Sequence, residues 1–177
     1  MVTPSPASTT CPIRTTTGFR LWTFSDAVEA TPKPAVLVIQ QNYPPDVAGK
    51  VGVTGGNMAT ALQTLGCVGM VSNGPSRDLD EIRPMKWQML LSGATPGHGN
   101  SGIHAINVPV TVGGMDVSPG EVVHMDESGA CKFPAEHIAA VARNVKALLA
   151  DEAEKQARMR KATTAAEMRA IFSGGDK

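Results

Sequence analysis

Ala35-Val36-Leu37-Val38-Ile39 is a continuous apolar run of strand length, held between Pro34 and Gln40. A strand with one wet face alternates apolar and polar residues. An unbroken run belongs to a strand buried on both faces, so it constrains the fold more than any other feature of the chain. Val68-Gly69-Met70-Val71 predicts a second such strand. Between them lie the Gly/Pro-rich loop NYPPDVAGKVGVTGGN (42–57) and the breaker-free stretch Met58–Leu65. That stretch predicts a helix ending at Gly66.

Other elements follow from the same rules. Ile13–Thr17 is rich in β-branched residues and suits a strand. Ser25 is placed to cap a short helix over Asp26–Ala30. Asp80–Met85 reads as a short turn or helix stopped near Pro84, and Gln88–Leu91 as a strand. Gly93–Gly102 is a loop. Val108–Val112 and Met115–Val117 flank Gly113-Gly114, a hairpin signal. Val122–Met125 and Ala130–Phe133 are further strands around a turn at Asp126–Gly129. From Pro134 the chain reads as helix, with Ile138, Val141, Val145 and Leu148 on one face. The charged stretch Asp151–Lys161 continues it, leaving Met168, Ile171 and Phe172 to find a surface on another subunit. The expectation is one mixed α/β domain over 11–162, an irregular start at 1–10 and a tail at 163–177.

Bulk properties remove several functions. The 177 residues can bury one real core. Zero net charge lacks the basic footprint of a nucleic-acid binder, and 4% aromatic content offers no base-stacking platform. No apolar stretch approaches transmembrane length, so no membrane partner is expected. Cys11, Cys67 and Cys131 are odd in number and far apart, which gives neither a disulfide framework nor a zinc spacing. Reduced thiols, with Cys67 and Cys131 in the core, point to the cytoplasm. The first twenty residues lack Asp and Glu and are rich in Ser and Thr, as in organelle transit peptides, but an irregular start is the simpler reading.

The candidate chemistry lies in two stretches. Gly55-Gly56-Asn57-Met58 stands just before a predicted helix, where backbone N–H groups and the helix field favour an anion. Arg77-Asp78 closes the second buried strand. Arg77 offers a rigid fork of donors for a carboxylate, and Asp78 a hard oxygen for Mg²⁺ or Mn²⁺. Such a set holds a small oxoacid with a metal polarising its carbonyl. The bland readings are a tight connection and a surface ion pair. No phosphate loop is present, because Gly49-Lys50 is followed by Val51. His98 stands in a flexible Gly-His-Gly without a visible partner. His104, His124 and His137 show no metal spacing, Ser101 is in no nucleophile elbow, and Asp80, Glu81, Asp126 and Glu127 read as solvated turns.

GGNMATALQTLGCVGMVSNGPSRDLDEI (55–82) resembles the core signature of RraA-like proteins and the related class II 4-hydroxy-4-methyl-2-oxoglutarate/4-carboxy-4-hydroxy-2-oxoadipate aldolases. INVPVTVGGMDVSPGEVVHMDESGACKFP (106–134) is similar to that family's second motif, in the right order. The resemblance covers roughly residues 12–160 and implies a swivelling, phosphohistidine-domain-like β/β/α fold with a C-terminal helix, assembled as a homotrimer. It further implies a short 2-oxo acid substrate bound by the Gly55–Met58 loop and Arg77. Mg²⁺ or Mn²⁺ on Asp78 would polarise the 2-oxo group during aldol cleavage or oxaloacetate decarboxylation. It also implies an acid from a neighbouring subunit's C-terminal segment, with Glu154 or Glu152 as candidates. The sequence departs from the family in two ways: Gly56 stands where the aldolases carry an Asp, and the chain starts almost at the strand that a helical segment precedes in the family. Two alternatives therefore stand beside the lyase reading. One is a non-catalytic RraA-type binder that regulates a ribonuclease. The other is a specialised-pathway enzyme reusing the fold on another substrate.

Overall fold

The computed structural model describes residues 8–15, 25–99 and 102–173. It divides into two compact units, Met1–Ala135 and Glu136–Lys177.

The first unit is built on a seven-stranded mixed sheet. Strands β1 (Ser8–Thr15), β2 (Ala35–Gln41), β3 (Cys67–Ser72) and β4 (Gln88–Leu90) run parallel, in the spatial order β4-β3-β2-β1. Two antiparallel strands extend the other side of β1: β5 (Ile103–Ile106) pairs with Ile13–Thr15, and β8 (Val122–Asp126) pairs with Ser8–Thr9. Strand β9 (Gly129–Phe133) completes the sheet against β8. A separate hairpin joins β6 (Val110–Val112) to β7 (Met115–Val117). Its two turn residues, Gly113 and Gly114, have φ of 59° and 82°, the left-handed pair that a tight hairpin turn requires.

The apolar run of β2 explains the layering. Ala35, Leu37 and Ile39 point into one core with Val28, Ala59, Leu62, Met70, Ile82 and Trp87. Val36 and Val38 point into the other, with Val71, Val123, Met125 and the hairpin residues Val110, Val112 and Val117. Helices cover the first face: α1 (Ser25–Ala30), α3 (Gly56–Thr64) and α4 (Leu79–Ile82). The hairpin covers the second. A strand covered twice has no place for alternation, which is what the sequence pattern requires.

Several expectations need adjustment. The first strand lies at Ser8–Thr15 rather than Ile13–Thr17, so residues 8–10 of the expected irregular start open β1; residues 1–7 and 16–24 lie outside the described residues. Pro12 conceals this strand, since proline is rarely admitted inside a sheet. It is tolerated here because residues 10–12 have no strand partner on the second edge among the described residues. Strand β5 was not expected at all. The 42–57 loop contains a single helical turn, α2 (Pro45–Ala48). Helix α3 starts at Gly56, two residues earlier than predicted, and Gly66 takes the positive φ (83°) expected after a helix end.

The second unit holds α5 (Ile138–Met159) and α6 (Ala165–Ser173). The stretch read as a tail from 163 is thus largely helical. Its start is a capping box. The Glu167 N–H donates to the Thr164 hydroxyl (3.2 Å), and Glu167 Oε2 accepts from the N–H groups of Thr163 (2.7 Å) and Thr164 (3.2 Å). These backbone donors, led by Thr163, lower the Glu167 carboxyl below its ordinary pKa. Lys155 Nζ lies 4.6 Å above the centre of the Phe172 ring, tying α6 to α5.

Candidate active site

The candidate residues gather at the carboxyl ends of β2 and β3. In parallel α/β sheets this is where ligands bind, because loops leave the strands there and helices begin there. Side chains first fasten the two strand ends together. The Gln41 N–H donates to Asn73 Oδ1 (2.6 Å), Asn73 Nδ2 donates to Gln41 O (2.9 Å), and the Ser72 hydroxyl donates to Ile39 O (2.8 Å). Gln41 Nε2 then donates to Val51 O (2.8 Å), drawing in the loop after β2. Asn73, a candidate ligand-orienting residue by type, is therefore a structural tie.

Three loops are next stitched by their backbones. Val53 N–H donates to Pro75 O (2.8 Å) and Arg77 N–H to Thr54 O (3.1 Å), joining the glycine loop to the Arg-Asp loop. Ser76 N–H donates to Gly93 O (3.1 Å), and Thr95 N–H to Ser76 O (2.9 Å), which brings in the loop after β4. Gly52 N–H donates to Gly97 O (2.9 Å) and closes the set. The Ser76 hydroxyl, fully buried, donates to Thr54 O (3.0 Å). The neighbouring Thr54 hydroxyl is buried and has no hydrogen-bond partner among the described residues.

On this frame Arg77 and Asp78 meet the start of α3. Helix geometry leaves the first N–H groups of α3 without intrahelical acceptors. That of Gly56 donates to Asp78 Oδ2 at 3.1 Å. The same oxygen lies 3.5 Å from Arg77 Nε, and both side chains are one-third exposed. Asp78 adopts a left-handed backbone (φ 55°, ψ 40°), a conformation uncommon for residues other than glycine. It turns the chain into α4 and points the carboxylate back at α3. Gly55 is required by this approach: a Cβ there would lie 2.4 Å from Asp78 Oδ2 and 2.9 Å from Arg77 Nε. The terminal guanidinium nitrogens of Arg77 make no hydrogen bond among the described residues, so they are free to bind an acid.

Asn57 is exposed on the first turn of α3, while Met58 is half-buried and packs against the core below. Glu152 and Glu154 are exposed residues of α5 in the second unit. His98 is exposed, with Nδ1 2.9 Å from Gly99 O, and His124 Nε2 lies 3.6 Å from Asp126 Oδ2. His104 and His137 are exposed, and Ser101 lies outside the described residues. Cys67 is buried as expected. Cys131, expected in the core, is exposed, because it stands on the outermost strand β9.

One functional candidate escaped the sequence. Glu81 reads as part of a solvated turn, yet its carboxylate reaches the start of α3. A Cβ at Gly56 would lie 2.0 Å from Glu81 Oε2. The available signal was its spacing: three residues after Asp78 on a helical turn places the two acids on one face.

The donor set suits a hard divalent ion. Asp78 keeps one carboxylate oxygen clear of the Gly56 and Arg77 contacts, and Glu81 adds a second acid nearby. No cluster of three or more His, Cys, Asp or Glu fit for a metal stands among the described residues. That is compatible with Mg²⁺, which takes one or two carboxylates and keeps water or substrate oxygens for the rest.

The sequence model of the RraA-like family (Aldolase/RraA) matches residues 2–131, which contain the whole of this arrangement. The chain belongs to the RraA-like family. Among curated proteins it is 33% identical over 86 residues to a 4-hydroxy-4-methyl-2-oxoglutarate aldolase of Thermus thermophilus, covering 48% of this chain and 52% of that one. It is 34% identical over 86 residues to a putative 4-hydroxy-4-methyl-2-oxoglutarate aldolase 3 of Arabidopsis thaliana, covering 45% and 49%. The chain thus spans about half the length of the curated relatives it matches. Among solved structures, an uncharacterized protein of Pseudomonas syringae shares the fold at TM-score 0.74 and 18% identity, over 93% of this chain and 75% of that one. The RNA-processing inhibitor RraA from Thermus thermophilis matches at TM-score 0.57 and 25% identity, over 72% and 75%. The RraA-like fold expected from the two motifs, mixed α/β with a C-terminal helix, is therefore present. Among the described residues no helix is long and apolar enough to cross a membrane.

Proposed function

We propose that this RraA-like chain is a divalent-metal-dependent carbon–carbon lyase acting on a short 2-oxo acid, such as 4-hydroxy-4-methyl-2-oxoglutarate or oxaloacetate. The observation that carries the reading is the convergence of Arg77, Asp78 and the Gly55-Gly56 start of α3 at the carboxyl end of the sheet. The names of the aldolase relatives support the reaction class.

Each group has a role that its surroundings favour. Arg77 binds the carboxylate next to the 2-oxo group, through the guanidinium nitrogens that the fold leaves free. The first-turn amides of α3 orient the same anionic end. Asp78, fixed by the Gly56 N–H, holds Mg²⁺ or Mn²⁺. When bound, that ion supplies Lewis-acid polarisation of the 2-oxo group. Gly55 keeps Arg77 and Asp78 at their close approach to the loop.

The test is pyruvate release from both acids, with and without chelator. Activity should require Mg²⁺ or Mn²⁺ and stop with EDTA. Arg77→Ala and Asp78→Ala should each lower kcat/KM by about 100-fold or more, the scale of a lost charged contact at a reacting group. Full metal-dependent activity in Asp78→Ala would remove the assignment. A second reading, a protein-binding regulator, draws on the match to the RNA-processing inhibitor RraA. A stoichiometric protein partner bound without metal, together with no pyruvate release, would favour it.

A further inference from the structure

Glycines in a helix start are often explained by close packing of backbone on backbone. At Gly56 the neighbour is instead a carboxylate. A Cβ there would meet Glu81 Oε2 at 2.0 Å, Glu81 Cδ at 3.1 Å and Glu81 Cβ at 3.4 Å. The Glu81 side chain fills the volume that a side chain on residue 56 would claim.

The plain alternative is a structural cap for α3. It fails on one observation: among the described residues the Glu81 carboxylate makes no hydrogen bond or ion pair. The Gly56 N–H, which a cap would engage, donates to Asp78 Oδ2. The two acids thus share one face of α4 in different circumstances. Asp78 is engaged by an amide and faces a guanidinium, while Glu81 is exposed and uncommitted. A pair of carboxylates in unlike surroundings is an arrangement that separates a holding role from a proton-transfer role.

We propose that Glu81 is the general base of the cleavage reaction. This rests on the lyase reading given above. For a 4-hydroxy-2-oxo acid, Glu81 takes the proton of the C4 hydroxyl, directly or through one water. The oxygen's electron pair forms the C4 carbonyl as the C3–C4 bond breaks. The pair from that bond passes to C3 and is delocalised over the 2-oxo group. C3 then takes the proton back from Glu81, so acid and base balance over one turnover. Decarboxylation of oxaloacetate has no hydroxyl proton to remove, and it leans on Glu81 only for the final proton delivery, which water can also supply.

The experiment compares pyruvate release from 4-hydroxy-4-methyl-2-oxoglutarate and from oxaloacetate. It uses the full chain with Mg²⁺ as wild type, E81Q, E81D and the double variant G56D/E81Q, with circular dichroism to confirm folding. For E81Q, kcat on the hydroxy acid should fall about 100-fold, the lower end of a general base's contribution. The loss on oxaloacetate should be at least tenfold smaller, and the acid limb of the kcat–pH profile for the hydroxy acid should disappear. E81D should retain part of the activity. G56D/E81Q should recover at least tenfold, because it returns a carboxylate to the same volume from the other side. Equal losses on both substrates, or no loss, would overturn the role of Glu81 while leaving the lyase reading intact. A wild type that decarboxylates but never cleaves the hydroxy acid would overturn it too. Release of pyruvate from neither acid would remove the lyase reading and this role together.

Discussion

Helices α3 and α5 are held in place by opposite means. Helix α3 has nine residues and is too short to persist alone. It has no side-chain cap, and its start carries two glycines that disfavour helix. What holds it is burial: Ala59 and Leu62 are fully covered by the sheet core. Helix α5 has 22 residues and none is buried. Its apolar residues Ile138, Val145, Leu148 and Leu149 remain substantially exposed, and its composition of Ala, Leu, Lys, Glu and Arg favours helix by propensity. A helix positioned by packing can spend its own terminus on a ligand. A helix positioned by its sequence needs its termini closed, as the capping box at the start of α6 closes that helix.

Four expectations would break or sharpen this contrast. The largest effect belongs to Leu62→Ala, which should cost about 2–5 kcal/mol in urea unfolding, the range for emptying a filled core site. Its counterpart Leu148→Ala should stay within about 0.5 kcal/mol, as for exposed positions. Equal costs would mean that α5 is packed in the folded protein as tightly as α3.

Next is Gly55→Ala, which displaces Arg77 and Asp78 rather than the core. Pyruvate binding, read by calorimetry, should weaken by about tenfold, or ~1.4 kcal/mol. Unfolding should shift far less than in Leu62→Ala. A parallel loss of binding and stability would show that Gly55 serves folding alone.

Third, Thr164→Ala should cost α6 about 1 kcal/mol of local stability, read from amide exchange over Ala165–Ser173. Smallest is the pH response of the same cap. The folded Glu167 carboxyl is lowered, so its contribution is present above the ordinary glutamate pKa and lost as pH falls through the lowered value. Protection of the Ala165–Ser173 amides should therefore decline on acidification, and Glu167→Gln should flatten the dependence.

The same division explains what the sequence made legible. Strands β2 and β3 were readable because burial on both faces writes itself as an unbroken apolar run. Helix α5 was readable from its own periodicity. Strand β5 was not: Ile103-His104-Ala105-Ile106 follows a glycine loop and gains its structure from pairing with β1, a partner ninety residues earlier in the chain. In the site, Arg77 and Asp78 stood out by chemistry, and the family motifs brought the glycine loop beside them. Glu81 did not, because its meeting with Gly56 depends on the left-handed turn at Asp78 and on three loops closing together. Cys131 was misplaced for a related reason. Residue type said core, but position on the last strand of the sheet says surface.

The frame around the site has one more property. Val53 to Pro75, Arg77 to Thr54, Ser76 to Gly93, Thr95 to Ser76 and Gly52 to Gly97 are all main-chain hydrogen bonds. Peptide groups are the same whatever side chains they carry, so this scaffold is largely blind to the letters written on it. Residues at its rim can be exchanged while the loops keep their shape. For an engineer that makes the carboxyl end of the sheet a socket for changing substrates, with Pro75 and the close-packed glycines as the positions to leave alone.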